Sequence, residues 1–143
     1  MTAAPALGEA ERQALEAALD DEYKSYTTYD QVVRDFGEVR PFINIVEAEA
    51  RHIAALLAVF ATYGIIAPAN RWPALVARFA SLHEACVASV QGEIDNVAIY
   101  DRALTTTQRT DIVTTYQALR SASLDRHLPA FRRCAERLAG GPA

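Results

Sequence analysis

Glu47-Ala48-Glu49-Ala50-Arg51-His52 places a carboxylate and an imidazole three positions apart, at Glu49 and His52, inside a segment that otherwise has the spacing of a buried helix. The flanking apolar residues Phe42, Ile45, Val46, Ile53, Leu56, Leu57 and Phe60 recur at three- and four-residue steps, and Glu49 and His52 fill the gap in that stripe. An i, i+3 pair turns both side chains to one face, so a helix over these residues points two polar groups at its own apolar side. Pro41 is placed to be its first helical residue and Gly64 to close it.

The same pattern extends in both directions. Upstream, Leu15, Leu19, Tyr26, Tyr29, Val33 and Phe36 form one stripe of a helix from Glu9 to Phe36 that Gly37 ends, with Glu22 among them. Downstream, Ser81 and Glu84 have capping-box spacing, which predicts a third helix from about Leu82, bearing Cys86, Val90, Ile94, Val97, Tyr100 and Leu104, with Glu93 in their midst. Residues 65–80, with Pro68 and Pro73, read as a connection, and Trp72–Ala80 as a stretch able to hold a helical turn or two. Thr105–Thr110 reads as a turn. The last helix is expected from about Asp111 through Ile112, Tyr116, Leu119, Ser123, His127, Phe131, Cys134 and Leu138, kinked at Pro129, before the Ala139–Ala143 end frays.

Lengths suggest how these helices connect. At ~1.5 Å per residue, Glu49 and His52 lie roughly 18 Å before the end of the second helix and Glu93 roughly 16 Å after the start of the third. A shared polar layer between parallel second and third helices needs a connection of about 35 Å, within the reach of residues 65–80 at ~3.3 Å each. The expectation is a single all-α domain over residues 1–143, a four-helix bundle with a long crossover between helices two and three.

At 143 residues, 51% of them hydrophobic, the chain can bury one proper core, and a net charge of −4 with a pI near 5.3 excludes nucleic-acid binding by bulk charge. No basic segment leads into an apolar run at the N-terminus and no apolar stretch is long enough to span a bilayer, so a cytoplasmic address without membrane attachment is expected. Two cysteines are too few for a disulfide framework or a thiolate zinc site.

Glu22, Glu49, His52, Glu93 and His127 thus fall on buried stripes near mid-helix, one or two per helix. Ionised carboxylates in a bundle core need a counter-charge, and no Lys or Arg shares those stripes at that depth. A metal cation supplies one, and the mixed carboxylate and imidazole set suits iron or manganese and is open to zinc.

With these residues, the chain resembles the ferritin-like superfamily, whose pattern is a Glu on helices one and three and a Glu-x-x-His on helices two and four. The stretches DDEYKSYTTY (20–29), FGEVRPFINIVEAEARHIAALL (36–57), EACVASVQGEIDNVAIYD (84–101) and ASLDRHLPAFRRC (122–134) are similar to a bacterial and archaeal ferritin-like family of the di-iron type. The resemblance spans residues 12–138. It implies bound iron, as a di-iron or iron/manganese centre, and O₂ or H₂O₂ as the small-molecule substrate, in an oxidase, peroxidase or ferroxidase-like role. One position departs: three residues before His127, where the pattern has a carboxylate, stands Leu124.

Other residues keep two readings each. Cys86 and Cys134 lie seven residues from Glu93 and His127 and are either small apolar core residues or a disulfide or dithiol that exchanges electrons with the metal. Tyr26 either fills the core or acts catalytically, as a hydrogen-bond partner of a ligand or a one-electron donor; Tyr29 and Tyr100 read as core. His83 reads as peripheral, and Asp20, Asp21, Glu47 and Arg51 as a solvated face. Two alternatives to an oxidoreductase stay open, a non-catalytic metal-binding or metal-sensing bundle and a purely structural one with protonated carboxylates. The outer face of a helix pair would suit a homodimer.

Overall fold

The apolar stripes become helices close to where the sequence puts them. A computed structural model describes residues 5–139, and all regular structure among them is helical: α1 Glu9–Phe36, α2 Phe42–Thr62, α3 Leu82–Ala103, α4 Thr110–Ala122, one π-helical turn Ser123–His127, and α5 Leu128–Ala139. Of the end expected to fray, residues 140–143 lie outside the described residues. No helix among the described residues is long and apolar enough to cross a membrane.

The ends are set by local chemistry. The Gly8 N–H donates to the Glu11 carboxylate at 3.0 Å, and the same carboxylate accepts from Thr107 Oγ1 at 2.6 Å and Arg109 Nε at 2.8 Å, tying the start of α1 to the α3–α4 turn. Gly37 and Gly64 end α1 and α2 with φ of 92° and 67°, a region open to glycine at little cost. Pro41 is the residue just before α2 rather than its first, and its carbonyl accepts the opening hydrogen bonds from Asn44 and Ile45. Ser81 Oγ caps α3 by accepting from the Glu84 N–H at 3.1 Å, while the Glu84 carboxylate reaches back to the Ala80 N–H. Between α2 and α3, residues 65–80 form no helix; Asn70 bonds Thr27, Arg71 and Trp72 bond Asp20, and Arg78 bonds Asp35, all on α1.

The last helix departs from expectation. The break precedes Pro129 instead of falling at it: the backbone widens into a π-turn, in which the Leu128 N–H donates to the Ser123 carbonyl, and α5 then runs on as regular helix. Proline has no N–H for the carbonyl four residues back, Asp125, and its ring crowds that turn, so one wide turn absorbs both problems.

The core divides in two. One cluster holds Leu15 and Leu19 of α1, Leu56 and Phe60 of α2, Tyr100 of α3, and Ile112, Tyr116 and Leu119 of α4. The other holds Tyr29 and Val32 of α1, Phe42, Ile45 and Val46 of α2, Cys86 of α3, and Phe131 and Cys134 of α5. Along every helical rod, Glu22, Glu49, Glu93 or His127 falls between residues of the first cluster and residues of the second. Each fully buried Leu or Phe contributes about 1.5–3 kcal/mol, so two apolar slabs clamp a polar layer.

Cys86 and Cys134 form a disulfide with Cα atoms 5.9 Å apart, inside the second cluster, so the two-cysteine reading resolves to a bonded pair. The bond closes a loop of 48 residues. For a loop of that length the loss of unfolded-state entropy is worth about 4 kcal/mol. Replacing both cysteines by alanine is therefore expected to lower the free energy of unfolding by about that much in urea titrations without abolishing helical circular dichroism; an unchanged midpoint would show the bond to be energetically idle.

Candidate metal centre

The five polar residues singled out in the sequence meet in the layer between the two clusters. Glu22, Glu49, His52, Glu93 and His127 are all buried. They form two overlapping groups, Glu22–Glu49–His52 and Glu49–Glu93–His127, each with ligand atoms within 4.8 Å of one another. Glu49 belongs to both. His52 Nδ1 lies 3.3 Å from Glu22 Oε2 and 3.3 Å from Glu49 Oε2; His127 Nδ1 lies 3.2 Å from Glu49 Oε1 and 3.2 Å from Glu93 Oε1. The two imidazole rings stack, centroids 5.4 Å apart and planes 14° apart.

The outer carboxylates are oriented by tyrosines. Tyr100 of α3 donates to Glu22 Oε1 of α1 at 2.6 Å, and Tyr29 of α1 donates to Glu93 Oε2 of α3. Each tyrosine stands one heptad beyond the glutamate of its own helix and serves the glutamate of the other. Asn96 also donates to Glu22 Oε1, at 3.2 Å, and to Asp21 Oδ2, at 2.7 Å. Glu22 and Glu93 thus each give one oxygen to a tyrosine and turn the other to a histidine. Glu49 has no tyrosine, and both its oxygens face the centre.

Several sequence readings change here. Tyr26 makes no hydrogen bond to a site carboxylate; it is half-buried and packs against the second cluster, and Tyr29 and Tyr100, expected only as core, hold the carboxylates instead. Asp21, placed on a solvated face, is half-buried and bound to Asn96. Asn96 went unread, though its position three residues after Glu93 puts it on the same face. Leu124 is turned outward, while Ser123 and His127, four apart on the inward stripe expected of them, are buried. Ser123 Oγ donates to Asn96 Oδ1 at 2.7 Å, so the slot that lacks the expected carboxylate is filled by a hydroxyl that fixes Asn96.

The site's electrostatics follow from burial and crowding. In the metal-free protein, burial and the neighbouring Glu49 push the Glu22 carboxyl up to about 8. Burial works against ionisation of Glu49 too, yet Glu22, His127 and His52 beside it hold it below the ordinary carboxylate value. Burial disfavours the charged imidazoles, but Glu22 and Glu49 outweigh it and raise His52 to about 10, and Glu49 and Glu93 raise His127 to about 9. Burial and nearby carboxylates lift Tyr29 and Tyr100 well above the ordinary tyrosine value, so both remain donors. Burial lifts Asp21 to about 6.

These residues fit a metal ion. Glu49 Oε2 is buried with no hydrogen-bond partner, since the geometry of the His52 contact favours Glu22. A buried, unpartnered carboxylate oxygen costs about 1–3 kcal/mol or more, and a cation against it would remove that cost. Three carboxylates and two imidazoles make a donor set of intermediate hardness, suited to iron, manganese or zinc.

Fold and site together define a helical bundle with a buried Glu/His cluster able to hold metal. No family model matches the chain, and no curated protein matches it. It is similar to the crystal structure of the hypothetical protein MJ0754 from Methanococcus jannaschii DSM 2661, with a TM-score of 0.84 and 19% identity over 97% of this chain and 87% of that one. It is also similar to the conserved hypothetical protein rv2844 from Mycobacterium tuberculosis, with a TM-score of 0.73 and 18% identity over 95% of each chain. At such identities the likeness is one of fold alone.

Glu22, His52 and His127 hold their protons more tightly folded than unfolded. The stability they lend is full below the ordinary values of 4.5 and 6.5 and is lost as pH rises through about 8, 10 and 9 respectively. Glu49, shifted down, loses its contribution only on acidification. The metal-free protein, kept in chelator, is therefore expected to unfold at progressively lower urea between pH 6.5 and pH 10; a midpoint that is flat or rises over that window contradicts the arrangement. Tyr29→Phe, which orphans the buried Oε2 of Glu93, is expected to cost about 1–3 kcal/mol in the same measurement, and Tyr100→Phe less, because Asn96 still donates to Glu22 Oε1.

Proposed function

We propose that this chain is a ferritin-like metal-binding protein that holds a non-haem iron or iron/manganese centre and uses it on O₂ or peroxide. The observation that carries the reading is Glu49, shared by two ligand groups with both oxygens turned to the centre and one of them unpartnered. Support also comes from the path of the chain. α1 and the α4–α5 rod lead from the first apolar cluster to the second, α2 and α3 lead from the second to the first, and residues 65–80 lie along α1 between them. Such a path supports reading the chain as a ferritin-like bundle with one long crossover.

In this reading Glu22, Glu49 and His52 hold one ion, and Glu49, Glu93 and His127 a second. A bound redox metal supplies Lewis acidity and electrons for chemistry on oxygen. Tyr100, Tyr29 and Asn96 keep the outer carboxylates aimed, which preserves ligand geometry through a reaction cycle. The apolar clusters on either side exclude bulk water. Glu22, His52 and His127 give up their protons as the ions enter.

A second reading, a non-catalytic metal-binding or metal-sensing bundle, is favoured by how closed the ligands are, with the side chains of Glu22, Glu49 and Glu93 each about 1% exposed.

Metal analysis after loading with Fe²⁺ or Mn²⁺ is expected to give two equivalents, falling to one in Glu22→Ala and His127→Ala and to none in Glu49→Ala, because only Glu49 is common to both groups. Ferrous-loaded protein is expected to turn over added peroxide. Uptake without turnover selects the second reading, and a chain that takes up neither ion overturns both.

A further inference from the structure

Each of the two histidines in the centre is immediately preceded by an arginine: Arg51-His52 on α2 and Arg126-His127 in the π-turn. Neighbours in a helical backbone point about 100° apart. A histidine turned into the bundle therefore sets the residue before it at the edge of the buried face. Because the two imidazoles stack on one another, the two arginines arrive at the same place, and both line one cleft of about 540 Å³ between α2 and α4. His52 and His127 line it too, and Ile45, Leu119 and Ala122 give it apolar walls.

Both arginines are exposed, and among the described residues neither is in an ion pair, so each guanidinium in the cleft is free to take an external anion. Glu47, one turn before Arg51, and Asp125, beside Arg126, are exposed and pair with neither arginine, and Glu49 is turned into the centre. The cleft is therefore amphipathic in a directed way, with two uncompensated guanidinium groups outermost, apolar walls below them and the ligand imidazoles at depth. A guanidinium fork matches a carboxylate in two parallel hydrogen bonds.

We propose that this cleft binds a small organic acid with an apolar body, its carboxylate held between Arg51 and Arg126 and its carbon skeleton lying against Ile45 and Leu119 toward His52 and His127. The binding stands on the cleft itself. That the bound acid is the molecule presented to the metal centre rests on the metal-oxygen reading above. Arg51 and Arg126 act here as substrate-positioning residues, and the skeleton of the acid, not its carboxylate, faces the centre.

Benzoate is a suitable probe, titrated by calorimetry into metal-free protein, with histidine and arginine side-chain NMR shifts reporting the location. Benzoate is expected to bind with shifts at His52, His127 and both arginines. Arg51→Gln and Arg126→Gln are each expected to weaken it about tenfold, as loss of a charge-assisted pair does, while Arg133→Gln, an exposed change on α5 outside the cleft, leaves it unchanged. Benzamide, the uncharged near-isostere, is expected to bind about tenfold more weakly or worse.

Unaltered benzoate affinity in the Arg51→Gln/Arg126→Gln double variant overturns the proposal, as does equal binding of benzamide. Inorganic phosphate binding at the same residues as tightly as benzoate overturns the organic-acid assignment. Because the titration needs no metal, these results leave the metal reading intact, and a protein that binds benzoate through both arginines yet takes up no iron or manganese overturns only that reading.

Discussion

Five ionisable side chains brought into a helical interior must balance one another, and that requirement organises this bundle. A lone buried carboxylate or imidazolium would be driven to neutrality or would unfold the chain. Here each imidazole sits within 3.3 Å of two carboxylates, and Glu49 takes part in both contacts. Removing any member leaves another buried and uncompensated, so the layer is held collectively. The two apolar clusters follow from it: residues on either side of the layer can pack only with residues on the same side, which fixes the register of the helices against one another.

The tyrosines turn that balance into geometry. An unsupported glutamate can rotate about its terminal bond and offer either oxygen. Tyr100 and Asn96 occupy Oε1 of Glu22, and Tyr29 occupies Oε2 of Glu93, so in each outer carboxylate the other oxygen is left for the histidine. Tyr29 also packs on Phe42 and Phe131 at 5.8 and 5.0 Å, and Tyr100 on Tyr116 at 5.7 Å, which anchors each hydroxyl in one of the two clusters. The apolar slabs are thus the support on which the polar layer is aimed. Glu49 has no such anchor and is left to face both sides.

Much of this is legible in the residue pattern because a polar residue in an apolar stripe keeps the helical period. Glu22, Glu49, His52, Glu93 and His127 are found by that test, and the stripes give α1, α2 and α3 nearly to the residue. What the period cannot settle is which of two compatible neighbours meets the next helix. Tyr26 and Tyr29 follow Glu22 by four and seven residues, about +40° and −20° from it around the axis, and both lie on the inward side. The choice falls to Tyr29 because its partner is Glu93 on another helix, a relation absent from α1 taken alone. The signal that could have shown it is the repeat of glutamate and tyrosine one heptad apart on both α1 and α3. The π-turn is hidden for a different reason. Residue types reveal where a helix is interrupted, through Pro129, but the widened turn lies in the backbone hydrogen bonds ahead of the proline.

The protons on the cluster bear on how metal and fold are coupled. Small metal domains that depend on an ion for their core are unfolded without it. In this bundle the positive charge the carboxylates require is already supplied by the imidazoles of His52 and His127, and the crowding between Glu22 and Glu49 is relieved by the proton Glu22 retains to about 8. The disulfide and the two apolar slabs hold the helices together on either side of the layer. Under the metal-binding reading, an ion entering the centre would therefore exchange with protons inside a frame that is already built. Loading would then be a competition set by pH and metal activity rather than a folding event, and the exchange would involve the two histidines that line the cleft with Arg51 and Arg126.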